Sequence, residues 1–212
     1  MAALSQAFLL LCDGQIRYDQ IMSAPTACQV LPDGSLQILV PSAAQMRRLG
    51  RTLAAQLQVG DLLGLDGPLG AGKTCLVQGL ARGLGVPATQ QISSPTFTLI
   101  NQYDLLLVAK SARRSTAAQP RPQTLCHIDL YRLEHASELD ELGLWELCES
   151  GAIVAVEWLS KFPTALPTDR LQLQLALAEA APARLVTISA HGPRSKERLV
   201  QLTGGFLARS DA

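Results

Sequence analysis

The alternation of apolar and polar positions divides most of the chain into short strands and helices that follow one another in turn. Leu36–Val40 reads as a strand. Pro41-Ser42 then starts a helix: Ser42 suits an N-cap, and Met46, Leu49, Leu53 and Leu57 recur at helical spacing. Leu62–Asp66 is a short apolar run suited to a buried strand. Thr74–Leu84 has helical spacing, with Leu76, Leu80 and Leu84 on one face, and Val86-Pro87 end it. Pro95 forces an extended backbone, after which Phe97–Tyr103 has strand character. Leu125–Arg132 reads as a strand that ends in polar groups. Ser137–Glu149 is predicted helical: Ser137 with Asp140 resembles a capping box, and Leu139, Leu142 and Leu147 supply apolar contacts. Gly143 weakens that helix, and Gly151 stops it. Ala152–Trp158 is an apolar run closing on a carboxylate and an indole. Leu171–Leu177 alternates with Gln, as a half-exposed antiparallel strand would, and Arg184–Ala190 is a further strand. Arg194–Leu207 is a closing helix, weakened near its end by Gly204-Gly205.

Two stretches lack this periodicity. Residues 1–35 mix apolar residues with Pro25, Pro32 and the turn-like Asp33-Gly34, and read as an N-terminal extension, either an extra strand or a loose tail. Residues 107–123 are polar, basic and rich in Ala, Ser and Pro, the composition of a disordered surface insertion. Lys110, Arg113, Arg114 and Arg121 within it could touch a phosphate backbone, although a solvated loop is the plainer reading. Residues 36–212 then form one domain.

With 212 residues, 48% hydrophobic, the chain is long enough to bury a core. Its formal net charge is zero, so it has no basic field with which to hold nucleic acid alone; RNA, if involved, is held by a partner. The five cysteines (Cys12, Cys28, Cys75, Cys126, Cys148) are odd in number and lack a C-x-x-C pair, which argues against a disulfide framework or zinc site and for a reducing cytoplasm. Cys75 sits at the start of a helix, where thiolate is favoured, and its modification is expected to block binding there. The apolar run Ala7–Cys12 is too short to span a membrane and has no basic flank before it, so neither a signal peptide nor a transmembrane helix is expected.

The chemistry concentrates in Gly67-x-x-x-x-Gly72-Lys73-Thr74, a phosphate-binding loop pattern lying between the predicted strand and helix, as that motif requires. Glycines 67, 70 and 72, with Ala71 between them, let successive N–H groups turn toward one anion. Lys73 supplies a point charge for the β- and γ-phosphates, and the Thr74 hydroxyl is placed to ligate Mg²⁺. A helix starting near Gly72 aims its positive end, with Cys75 in its first turn, at the phosphates.

Two apolar strands deliver acids: Ala152–Val156 ends at Glu157, and Leu125–Ile128 ends at Asp129. A carboxylate at the end of a buried strand beside a phosphate loop is suited to metal or water contacts. The Ser/Thr-rich loop Ser93–Thr98 follows the phosphate-loop helix, where such enzymes sense the γ-phosphate; read otherwise, it is a plain loop. The guanine-selecting Asn-Lys-x-Asp motif is absent, which favours ATP. Besides ATP hydrolysis, a small-molecule kinase and a non-catalytic nucleotide-gated binding module remain open. The first lacks an obvious acceptor pocket, and the second needs fewer acids.

Taken together, Gly67–Thr74, Ser94-Pro95-Thr96-Phe97, His127-Ile128-Asp129-Leu130-Tyr131-Arg132 and Val156-Glu157-Trp158 resemble the bacterial TsaE (YjeE) family over about residues 40–190. The resemblance implies an α/β fold of P-loop NTPase type, with parallel core strands, antiparallel edge strands and helices on both faces. It implies ATP and Mg²⁺ at the loop, Thr74 and Glu157 as metal ligands, Asp129 near the γ-phosphate or the attacking water, and Thr96 as a switch residue. Trp158 would flank the site, followed by Ser160. Arg184 would reach the nucleotide from the late strands, and Pro41–Gln45, including Ser42, would lie near the adenine. The family works with TsaB and TsaD in tRNA threonylcarbamoyladenosine biosynthesis, so a TsaB–TsaD complex is the implied partner and tRNA is met only through it. Cys75 stands where the family often has a second Thr or Ser, and the first 35 residues and the 107–123 insertion are longer than usual for it.

Overall fold

In the computed structural model, the described residues are 28–105, 123–141, 143–164, 167–178 and 182–210. Most of the N-terminal extension and all of the basic insertion up to residue 122 therefore lie outside them. Eight strands form one mixed sheet: β1 (Cys28–Val30), β2 (Leu36–Val40), β3 (Leu62–Asp66), β4 (Ile100–Asp104), β5 (Thr124–Asp129), β6 (Ile153–Glu157), β7 (Arg170–Leu177) and β8 (Arg184–His191). Helices α1 (Ala43–Ala54), α2 (Lys73–Leu84), α3 (Ser137–Glu141), α4 (Leu144–Glu149) and α5 (Pro193–Ser210) are set among them.

The strand order is β1-β2-β8-β7-β3-β6-β5-β4. The central run β7-β3-β6-β5 is parallel, and every pair outside it is antiparallel. The expected parallel core with antiparallel edges is what is found. β7 is both at once, parallel to β3 and antiparallel to β8, where the Gln alternation had suggested only an antiparallel strand. β3 and β6, apolar at nearly every position, are buried throughout, because helices or turns cover them on both faces.

One face of the sheet packs Leu63, Leu65, Ile153, Leu173 and Ile188 against Leu49, Leu53, Leu76, Leu80 and Leu202 of α1, α2 and α5. The other face is covered over β3, β6 and β5 alone, where Val154, Val156 and Ile128 meet Leu139 of α3, Leu147 of α4 and the turn residues Leu159 and Phe162. Over β1, β2 and β8 that second face carries hydrogen-bonded polar side chains: Gln29 donates to Gln37 (2.8 Å), and Gln37 donates to Thr187 (3.4 Å).

Helices α1 and α2 touch backbone to backbone. A Cβ at Gly79 would lie 2.1 Å from the Arg47 carbonyl oxygen, and one at Gly50 would lie 2.2 Å from that of Leu76. At the opposite end of the sheet, buried Arg198 of α5 pairs with buried Asp61 at 3.1 Å, and Arg194 reaches the same carboxylate at 3.1 Å. The ion pair ties α5 to the start of β3, and neither buried charge is left alone.

Three local expectations are corrected. Phe97–Leu99 is a turn, not strand: Leu99 has φ 62° and donates its N–H to the Pro95 carbonyl, so β4 begins only at Ile100. β5 ends at Asp129, because Tyr131 N–H turns back onto the Asp129 carboxylate (3.0 Å). The helix expected over Ser137–Glu149 is broken in two at Gly143, which is left-handed (φ 61°). Ser137 is the first residue of its first piece, and Glu138 accepts from the Glu134 and His135 N–H groups just before it. The closing helix runs through Gly204 and Gly205 to Ser210. Among the described residues no helix is long and apolar enough to cross a membrane.

Candidate active site

The carboxyl ends of the parallel strands gather the candidate residues. β3 ends at Asp66 and runs into the loop Gly67–Gly72, after which α2 begins at Lys73. Gly72, the N-cap, takes φ 102°, which a side chain would oppose. At Gly67 a Cβ would meet the Leu175 carbonyl oxygen at 2.3 Å, so the loop can leave β3 along this path only with glycine. Ala71 is fully buried, and its N–H bonds to the Pro68 carbonyl (3.1 Å). Arg184, at the start of β8, donates to the Gly70 carbonyl (3.2 Å) and so reaches the rim of the loop from the late strands.

Lys73 is only 5% exposed. Its ammonium donates to the carbonyls of Gly67 (2.8 Å) and Pro68 (3.1 Å) and lies 3.9 Å from the centre of the Trp158 ring. Burial pulls its pKa below the usual lysine value, while the negative charges of Glu157, Asp129 and Asp66 oppose that shift. Trp158 is held in a left-handed conformation (φ 64°) by its N–H bond to the Leu65 carbonyl (2.8 Å), and Tyr131 packs against it at 5.1 Å. The backbone N–H of Ser160 donates to Asp66 (2.9 Å), which Gln172 also contacts; Ser160 thus serves the turn that carries Trp158.

The two acids stand side by side, because β5 and β6 pair in parallel with Asp129 opposite Glu157. Thr74 Oγ1 donates to Glu157 Oε1 at 2.8 Å, joining α2 to β6. His127 Nε2 lies 2.9 Å from the same oxygen. Asp129 Oδ2 accepts from Thr96 Oγ1 (2.6 Å) and Ser94 Oγ (3.0 Å), so the Ser/Thr-rich loop is hung on the second acid. The sequence assigns a site role to Thr96, while Ser94 and His127 enter only as members of the quoted motifs. Both were detectable in principle: Ser94 stands two residues from Thr96, and His127 stands two residues before Asp129, on the same face of β5.

Ser42 caps α1 by accepting from Gln45 N–H (3.3 Å), and the next residue's carbonyl receives the Cys75 thiol (3.3 Å). The start of α1 therefore lies beside the first turn of α2. The expectation of a thiolate at Cys75 is corrected: burial raises its pKa above the usual thiol value, with Arg47 opposing more weakly. Cys126, buried in the sheet, is pushed up to about 11 by the same cause.

Among the described residues no group of three or more His, Cys, Asp or Glu could hold a metal by itself. Mg²⁺ does not need one, since it takes most of its ligands from water and phosphate and one or two from protein oxygens. The Thr74 hydroxyl and Glu157 carboxylate, joined across the loop, fit that demand.

The family model described as "Threonylcarbamoyl adenosine biosynthesis protein TsaE" matches residues 40–186. A Bacillus subtilis (strain 168) protein named "tRNA threonylcarbamoyladenosine biosynthesis protein TsaE" is 35% identical over 150 residues, covering 71% of this chain and 82% of its own length. The Streptomyces coelicolor protein of that name is 38% identical over 153 residues, covering 70% and 93%. The solved structure described as "Crystal structure of Bacillus subtilus YdiB" superposes with a TM-score of 0.62 at 27% identity, over 81% of this chain and 95% of that one. With the match spanning both phosphate loop and paired acids, this chain belongs to the TsaE family.

Proposed function

We propose that this chain is a Mg²⁺-dependent ATP hydrolase of tRNA N6-threonylcarbamoyladenosine biosynthesis, acting with TsaB and TsaD. The tRNA pathway is the one its relatives are named for. The observation that carries the hydrolase reading is the 2.8 Å bond between Thr74 and Glu157, which joins the first turn of the phosphate-loop helix to the acid at the end of β6.

The N–H groups at the start of α2 and the Lys73 ammonium receive the phosphates, with Arg184 at the rim. Thr74 and Glu157 hold the cation, which when bound neutralises charge on the phosphates. Asp129 orients the attacking water, and its bonds to Ser94 and Thr96 make the 94–99 turn responsive to what occupies the site. Arg132 is engaged with the 94–99 turn: its guanidinium lies 4.0 Å from the centre of the Phe97 ring, and Phe97 is 81% exposed. Turnover by the isolated chain is slow, and partner binding completes the site. A second reading draws on the same Asp129 contacts: the nucleotide only gates the 94–99 turn, with no hydrolysis.

The test is phosphate release from Mg-ATP by the purified chain, alone and with TsaB and TsaD, beside Glu157→Ala. Slow release that rises with the partners and disappears in the variant is expected. Release indifferent to the partners would remove the assigned setting. Tight ATP binding without release under either condition would leave the gating reading.

A further inference from the structure

We propose that His127 is a positioning residue that fixes the Glu157 carboxylate for metal binding, an inference that rests on the cation site proposed above. His127 is fully buried on β5, and its register partner is Ala155, two residues before Glu157 on β6. Its Nε2 lies 2.9 Å from Glu157 Oε1. A carboxylate oxygen can only accept, so Nε2 carries the hydrogen of this contact. Nδ1 is the buried side-chain nitrogen or oxygen left without a hydrogen-bond partner among the described residues.

A residue kept only to fill this volume would be apolar, because an apolar side chain leaves no polar atom unpaired in the core. The imidazole carries that unpaired atom, and its other nitrogen makes a single directed contact with the candidate ligand. Thr74 Oγ1 reaches the same oxygen at 2.8 Å from α2. Two donors from two different elements thus converge on Oε1 and hold the carboxylate in one orientation. The other oxygen, Oε2, carries neither of these bonds. Partners of this kind behind a ligating carboxylate typically change metal affinity on the order of 10–100-fold when removed.

The experiment titrates Mn²⁺, as a paramagnetic substitute for Mg²⁺, into the full chain carrying ADP. Wild type, His127→Phe and His127→Gln are compared, and ADP affinity is measured separately in EDTA. His127→Phe is expected to weaken Mn²⁺ binding about 10–100-fold. His127→Gln restores most of it, since its amide can donate from a similar place. ADP affinity in EDTA stays unchanged in both variants, which a general collapse of the site would not allow. The inference is overturned if His127→Phe binds Mn²⁺ as wild type does, if affinity in EDTA falls in step, or if His127→Gln is as weak as His127→Phe. Wild type that binds ADP but no Mn²⁺ would overturn the cation site itself, and the inference with it. If His127→Phe does not fold, long-range ¹H–¹⁵N spectra of wild type decide: the Nε2–H form is expected, and an Nδ1–H form overturns the inference.

Discussion

Lys73→Ala is expected to lower ATP hydrolysis to about a thousandth of wild type, the upper end of what one donor aimed at developing charge supplies. Lys73 stands at the first position of α2, where the macrodipole and the free N–H groups already favour an anion. Its ammonium adds the one full positive charge shown there at the inner end of the loop. Its burial, which lowers the pKa, works against the charged form, and the nearby Glu157, Asp129 and Asp66 work for it. Such a charge is costly to keep out of water, so it is retained for what it binds. The variant also loses two hydrogen bonds to loop carbonyls and the contact with the Trp158 ring. A melting curve beside the rate separates loss of chemistry from loss of the loop. ATP affinity that falls while the rate at saturating ATP is kept would show Lys73 to be a binding residue alone.

The second large effect lies away from the acids. Gly79→Ala should destabilise the protein by about 2 kcal/mol, within the range for overpacking a close contact. Helix propensity by itself predicts the opposite, a gain of about 1 kcal/mol from replacing glycine inside a helix. Packing outweighs it, because the new Cβ would sit 2.1 Å from the Arg47 carbonyl oxygen, and backbone cannot swing aside as a side chain can. Gly204→Ala is the matched control: it too lies within a helix, with nothing within 4 Å of a built Cβ, and it should stabilise by about 0.5–1 kcal/mol. Thermal or denaturant unfolding measures both. Two changes of the same sign would show that helix propensity, not the α1–α2 contact, governs the first.

The residues of the candidate site were legible because their chemistry sits in residue types at local spacing. Gly67 to Thr74 span one turn and one helix start, and Glu157 and Asp129 each end an apolar run. The partnerships between them were not legible, because sheet order sets them. That Glu157 meets both Thr74 and His127 depends on β6 lying between β3 and β5, which no periodicity reveals. The misread turns have a common cause too. At Phe97–Leu99 the apolar residues suggested a strand, but the backbone is bound by Pro95 and Asp129 into a turn with a left-handed Leu99. At Gly143 the helical spacing of leucines continued across a point where the chain itself turns left-handed. Propensity averaged over a window misses a single residue whose conformation is fixed by hydrogen bonds from elsewhere.

The sheet order also sets when the protein can be finished as it is made. β3, the strand that carries the phosphate loop, gains one neighbour in β6 but its other neighbour only in β7, where Leu63 pairs with Leu171. The β1–β2 hairpin attaches to the rest of the sheet through β8, far downstream of it in the chain. A nascent chain ending before residue 170 thus exposes one edge of its central strand, together with the apolar face meant for α5. Pairings so distant in sequence form slowly and leave strand edges open meanwhile. The loop that follows β3 gains its second wall only once β7 has left the ribosome.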